Sequence, residues 1–164
     1  MPPHSDYFIR AMEHGDLDAV LLLFSRVAEE RIWIGTEPGF DRPKYKDIFG
    51  LSIALGNGMF VATHESEIIG MISSYRHEEY GWTLGMLIDE HYRGHGLGYQ
   101  LLEQLFTWAR GRSISQLSLL VFPHNERALA LYRRTGFEVV ERYTADVTRA
   151  TGEVWDTILM RKLL

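Results

Sequence analysis

At 164 residues and 46% hydrophobic, the chain carries enough apolar material to close one ordinary core, read as a single domain over residues 1–164, without disulfides or a structural metal. A formal charge of -5, from 17 Lys and Arg against 22 Asp and Glu with no basic run, excludes a general phosphate-backbone binder, so no nucleic-acid partner is expected and any anion site must be local. The absence of cysteine excludes a disulfide framework, a thiolate metal site and a cysteine nucleophile, while a signal core is missing from Met1 to Arg10 and no stretch reaches the roughly 18 apolar residues of a membrane span, which together predict a cytoplasmic protein.

Tyr7 to Arg10 reads as a first strand. Asp16 to about Arg31 follows as an amphipathic helix, with Asp16 and Asp18 in its first turn and Leu17, Val20, Leu21, Phe24, Val27 and Ala28 at helical spacing. Gly35 to Lys46, punctuated by Pro38, Gly39 and Pro43, is expected to be a loop, and a second helix to span Asp47 to Leu55 until Gly56, Asn57 and Gly58 stop it. The pattern then changes to strands. Met59 to His64 and Ile68 to His77 flank the polar link Glu65, Ser66, Glu67 and predict a hairpin, and a third strand runs from about Trp82 to Asp89. Beyond it Leu97, Leu101, Leu102, Leu105, Phe106 and Ala109 mark one face of a helix ending near Gly111. Ile114 to Phe122 is again strand-like. Asn125 is placed to cap a helix through Thr135, with Glu126 near its positive end, Arg133 and Arg134 near its negative end and Gly136 as a left-handed stop. Phe137 to Tyr143 and Val154 to Met160 complete the chain as a closing hairpin. Antiparallel strands followed by a strand, helix, strand, helix unit predict an α/β protein with a mixed sheet.

The densest chemistry lies in Arg93, Gly94, His95, Gly96, Leu97 and Gly98, a strand-to-helix turn. Its glycines remove β-carbons that would hold a ligand off the backbone, and the helix that follows leaves its first N–H groups unpaired. Those donors and the positive end of the helix dipole favour a phosphate or pyrophosphate. A dinucleotide-binding turn does not fit, since Leu101 stands where the third glycine is needed and no acidic residue is well placed some 20 positions on. A P-loop does not fit either, because no Gly-Lys-Ser/Thr follows.

With Ile88 five residues before Arg93, Arg93-x-x-Gly96-x-Gly98, and Asn125 followed by Leu131-Tyr132 and Gly136-Phe137, the chain resembles the GNAT superfamily of N-acetyltransferases from its first strand to Asp156–Met160. The resemblance implies an acyl-CoA N-acyltransferase fold, a mixed and mostly antiparallel central sheet flanked by helices. It implies acetyl-CoA as co-substrate, with no metal, and direct transfer of acetyl to a primary amine, of a small molecule or a protein N-terminus, in a ternary complex. By the same resemblance the pantetheine arm would pair with the strand backbone at Met86, Leu87 and Ile88, the pyrophosphate would sit on Arg93, Gly94, His95, Gly96, Leu97, Gly98 and Tyr99, Asn125 would hold the cofactor through its amide, and Tyr132 would protonate the leaving thiolate. Relatives can also form a homodimer through their final strands.

A phenol with a reference pKa of about 10 can supply a proton while remaining neutral at physiological pH, which suits Tyr132 to that task; its other reading is an aromatic on a buried helix face. The general base departs from the family pattern. Many relatives carry a glutamate where this chain has Thr83, and a threonine cannot take the amine's proton. Glu78, Glu79, Glu90 and His124 remain as candidates, and the departure motivates an alternative, a catalytically weak acyl-CoA sensor of the same fold. His91 and His95 are four apart, yet Gly94 interrupts any helix there and a metal pair is not expected. Tyr75, Tyr80 and Trp82, with the loop Ile34 to Phe40 and the hairpin around Tyr143 to Gly152, are expected to border the acceptor, where Glu37, Asp41 and Asp146 could attract a cationic amine.

Overall fold

A seven-stranded sheet in the order β1-β2-β3-β4-β5-β7-β6 organises the computed structural model, which describes residues 6–164. The part of the Met1 to Arg10 reading that falls on residues 1–5 lies outside the described residues. The elements are β1 (Phe8–Ala11), α1 (Leu17–Glu29), α2 (Arg42–Ala54), β2 (Met59–His64), β3 (Glu67–His77), β4 (Gly81–Ile88), α3 (Leu97–Gly111), β5 (Gln116–Val121), α4 (Glu126–Arg134), β6 (Glu138–Thr148) and β7 (Val154–Leu163), with short 3-10 turns at His14–Asp16 and Glu90–Tyr92. Every neighbouring pair is antiparallel except β4 with β5. No helix among the described residues is long and apolar enough to cross a membrane.

Alternation along the strands divides the apolar side chains between two cores. On one face Phe60, Ile72, Leu84, Leu119 and Met160 pack with Leu101, Leu105 and Phe106 of α3 and Leu129 and Tyr132 of α4. On the other, Val61, Met71 and Leu87 meet Val20, Leu23 and Val27 of α1. Helix α1 thus buries the face its spacing predicts. Helix α2 buries no residue fully and is anchored through an aromatic group, with Phe24 of α1 against Phe40, Tyr45 and Phe49 at ring separations of 6.1, 5.9 and 5.5 Å.

Three sequence expectations need correction. The loop expected to run to Lys46 ends at Asp41, because Asp41 Oδ1 accepts the Lys44 N–H at 3.0 Å and Pro43 sits in the first turn of α2, where a missing N–H costs nothing. The strand expected to stop at Tyr143 continues as β6 to Thr148 through register shifts at Val139/Glu141 and Tyr143/Val147, the second accommodating Ala145 at a φ of 53°. β7 likewise extends past Met160 to Leu163.

Candidate active site

β4 and β5 run parallel but pair only at Thr83 and Ser118. Past that bridge they are unpaired, and a cleft of about 940 Å³ opens between the end of β4, the turn after it and α4. Asp89 N–H turns to Ile69 O of β3 at 2.8 Å, and Leu87 lies opposite Met71, so strand alternation aims the backbone groups of Met86 and Ile88 at the cleft. Leu87 therefore lines the cleft while its own backbone belongs to β3, which corrects the expectation that all three residues offer main-chain groups. Ile88 O is taken by Arg93 Nε at 2.9 Å, leaving Met86 N–H, Met86 C=O and Ile88 N–H for a strand-like ligand.

The glycine-rich turn closes one end of the cleft. Gly94 and Gly96 have φ of 79° and 83°, a region that favours glycine, and Gly96 begins α3 without a capping side chain. Gln100 N–H is the first to find an intrahelical acceptor, Gly96 O at 3.2 Å, so the N–H groups of Leu97, Gly98 and Tyr99 face outward as donors. Gly98 has a different task. A Cβ there would come within 2.8 Å of Leu131 Cδ2 and 3.4 Å of Met86 Cε, so this glycine lets α3 pack against α4 and β4. His95 stands off the cleft wall, unlike the other residues of the turn.

Arg93 contributes backbone here, because its side chain is committed. Its Nη1 and Nη2 fork onto Glu30 at 2.8 and 2.7 Å, a pair that ties the end of α1 to the turn. The Arg93 fork holds the Glu30 carboxyl below the usual carboxylate range against the opposing effect of partial burial, and a bond from Trp33 Nε1 at 2.6 Å acts in the same sense.

On the opposite wall, Asn125 Oδ1 caps α4 by accepting Ala128 N–H at 3.3 Å, a bond that does not use its amide NH₂. Tyr132 is 7% exposed, its ring edge-on to Phe137 at 5.7 Å. Its hydroxyl has no hydrogen-bond partner among the described residues, and burial pushes the phenol up to about 12. Arg127 and Arg134 also line this wall. Sequence reasoning missed them, although with Ala130 and Leu131 they follow the 3.6-residue period of one α4 face.

The remaining candidates separate. Thr83 is buried and donates to Gly81 O at 3.1 Å, a structural role. Glu78 and Glu79 do not line the cleft, and Glu90 lines it from the 3-10 turn just before Arg93. His124 lines it, with Nε2 donating to Ile32 O at 2.7 Å and the ring stacked on Phe122 at 5.5 Å and edge-on to Trp155 at 4.7 Å. Trp82 packs on Trp108 of α3 at 5.4 Å, on the face away from α1, and so leaves the acceptor set. Tyr80 stacks on His77 at 4.4 Å, and Tyr75, opposite Thr83, stays 43% exposed. The three expected acidic attractants are engaged internally: Glu37 by Arg149 and Ala150 N–H, Asp41 as the α2 cap, Asp146 by Thr157 at 2.6 Å. His91 bonds Asp89 at 3.0 Å, and no group of three or more His, Cys, Asp or Glu among the described residues could hold a metal.

The model of the Acetyltransferase (GNAT) family matches residues 24–137. The chain is 29% identical over 136 residues to YwnH of Bacillus subtilis, which bears a provisional phosphinothricin acetyltransferase name, with 79% of this chain and 82% of that protein covered. The crystal structure of ribosomal-protein-alanine N-acetyltransferase from Brucella melitensis superposes at a TM-score of 0.87, with 25% identity, over 96% of this chain and 99% of that one. The structure of yncA from Salmonella typhimurium with its cofactor acetyl-CoA reaches 0.88 at 19% identity over 98% and 95%.

Proposed function

Because the chain belongs to the GNAT acetyltransferase family, we propose that residues 1–164 form one cytoplasmic N-acetyltransferase domain that moves an acetyl group from acetyl-CoA to a primary amine by direct attack. The observation that carries this reading is the unpaired fork between β4 and β5, whose wall brings the free edge of Met86 and Ile88, the glycine turn and the Tyr132 hydroxyl into one cleft. Met86 and Ile88 would pair with the pantetheine arm, the Ile88 N–H polarising the thioester carbonyl. Gly94, Gly96 and the first-turn N–H groups of α3 would hold the pyrophosphate, and the Asn125 amide would fix the arm from the far side. Bound acetyl-CoA supplies the activated acetyl group. Tyr132, protonated at every physiological pH, would donate to the departing thiolate; the burial that weakens the phenol as an acid also raises the thiol in the same enclosure, so the match between them survives. The relatives' names span phosphinothricin and a ribosomal-protein alanine, which supports an amine acceptor and none narrower.

The test is release of CoA thiol from acetyl-CoA in the presence of a panel of amino acids, polyamines and N-terminal peptides. Amine-dependent release is expected. Tight acetyl-CoA binding with no amine-dependent release would instead support the sensor reading motivated by Thr83.

A further inference from the structure

We propose, resting on the acetyltransferase reading, that His124 is the general base, its Nδ1 taking the proton of the acceptor ammonium. A carbonyl oxygen only accepts hydrogen bonds, so the 2.7 Å contact to Ile32 O places the hydrogen on Nε2 and the lone pair on Nδ1. The ring is held by Ile32 O of the loop after α1, by Phe122 stacked on it, by Trp155 of β7 at its edge and by the tilted ring of Trp33 at 6.4 Å. That rigidity orients the lone pair, as a base requires. His124 shares the cleft with Met86, Ile88 and Tyr132 and adjoins Asn125.

The other titratable groups on the wall have different work. Glu30 is spent on Arg93 and Trp33. Glu90 belongs to the 3-10 turn just before Arg93, and Glu126 adjoins Arg127, whose Nη1 lies near Gly94, so both stand at the phosphate end. The charges that surround Trp155, the ring at the edge of His124, are engaged elsewhere. Arg149 lies over the Trp155 ring at 4.4 Å and pairs with Glu37, and Glu153 accepts from Trp155 Nε1 at 3.1 Å. No described carboxylate forms an ion pair with His124.

In the step, Nδ1 removes one proton from R–NH₃⁺ and later passes it to water. The neutral amine nitrogen attacks the carbonyl carbon, the C–S bond breaks with its electron pair going to sulfur, and Tyr132 O–H gives sulfur its proton. The nitrogen of the new amide then returns a proton to the Tyr132 oxygen. The sum is R–NH₃⁺ plus acetyl-CoA giving the acetamide, CoA-SH and one proton.

The test pairs a variant with a spectroscopic readout. His124→Gln keeps a side-chain N–H for Ile32 O and loses the base. Against the amine accepted in the panel, kcat/KM is expected to fall about 100-fold and the acid limb of its pH profile to vanish, with acetyl-CoA affinity changed by less than about twofold. Independently of turnover, ¹⁵N-labelled wild-type protein should show His124 as the Nε2–H tautomer, with a titration midpoint that coincides with the acid limb. A Gln variant within about threefold of wild type, an acid limb that persists in it, or an Nδ1–H tautomer overturns the proposal. Should the variant lose its fold, disagreement between the two wild-type midpoints overturns it equally. A protein that acetylates no amine fails the acetyltransferase reading itself, while a protein that acetylates amines equally well without His124 fails only this one.

Discussion

Two arginines grip the segment between α1 and α2 from opposite sides. Arg93, in the turn after β4, forks onto Glu30 and caps Ile88 O; Arg149, just past β6, holds Glu37 at 3.1 Å and Ile34 O at 2.8 Å. Arg93 and Glu30 remain 18% and 21% exposed, so water shares in their solvation, whereas the Arg149 side chain is 3% exposed against a Glu37 at 31%, and its Nη2 lacks a partner among the described residues. The loop is thus held on the glycine-turn side by a fully paired contact, and on the β6 side by a buried guanidinium with one donor left unpaired. The same loop is braced twice, with different margins for error.

Arg149→Met tests that difference most severely. It should cost about 2–3 kcal/mol in urea unfolding, because Glu37 and Ile34 O lose a buried partner, and should raise the acceptor KM while leaving the acetyl-CoA dissociation constant unchanged. Tyr132→Phe should lower kcat at least about tenfold, near 1.4 kcal/mol, with acetyl-CoA affinity preserved in equilibrium titration. Arg93→Met should cost about 1 kcal/mol and weaken acetyl-CoA severalfold with little change in acceptor KM, the converse of the first variant. If both arginine variants shift both constants alike, the two ends of the cleft are not separable. The smallest effect concerns pH. Glu30 is held below its unfolded value near 4.5, so its stabilisation is full above that pH and fades as pH falls through the lower folded value; in Arg93→Met this part of the acid dependence of unfolding should flatten.

The glycine-turn side of the cleft was legible because its contacts are local. Arg93 reaches Ile88 across five residues, and Gly94, Gly96 and Asn125 act through their own turns and caps, so spacing alone encodes the geometry. The opposite side is not local. Arg149 meets Ile34 across 115 positions and His124 meets Ile32 across 92, separations at which no periodicity operates. Trp82 departs from its expected place for a related reason: strand alternation is legible in a sequence, but which face turns to α3 depends on packing. Pro43 was read as a breaker because its value at a helix start depends on the Asp41 cap just ahead of it.

The single bridge between Thr83 and Ser118 has a thermodynamic consequence as well. A sheet joined at one point across its middle has a seam, and the amides of Met86 and Ile88 beside it should exchange with solvent faster than those buried against β3. A molecule that lies along that edge acts as the absent strand and binds only the folded chain. By mass action it would add about 2.7 kcal/mol to the unfolding free energy at a hundred times its dissociation constant. The lifetime of this protein in a cell would then follow the local supply of its own substrate.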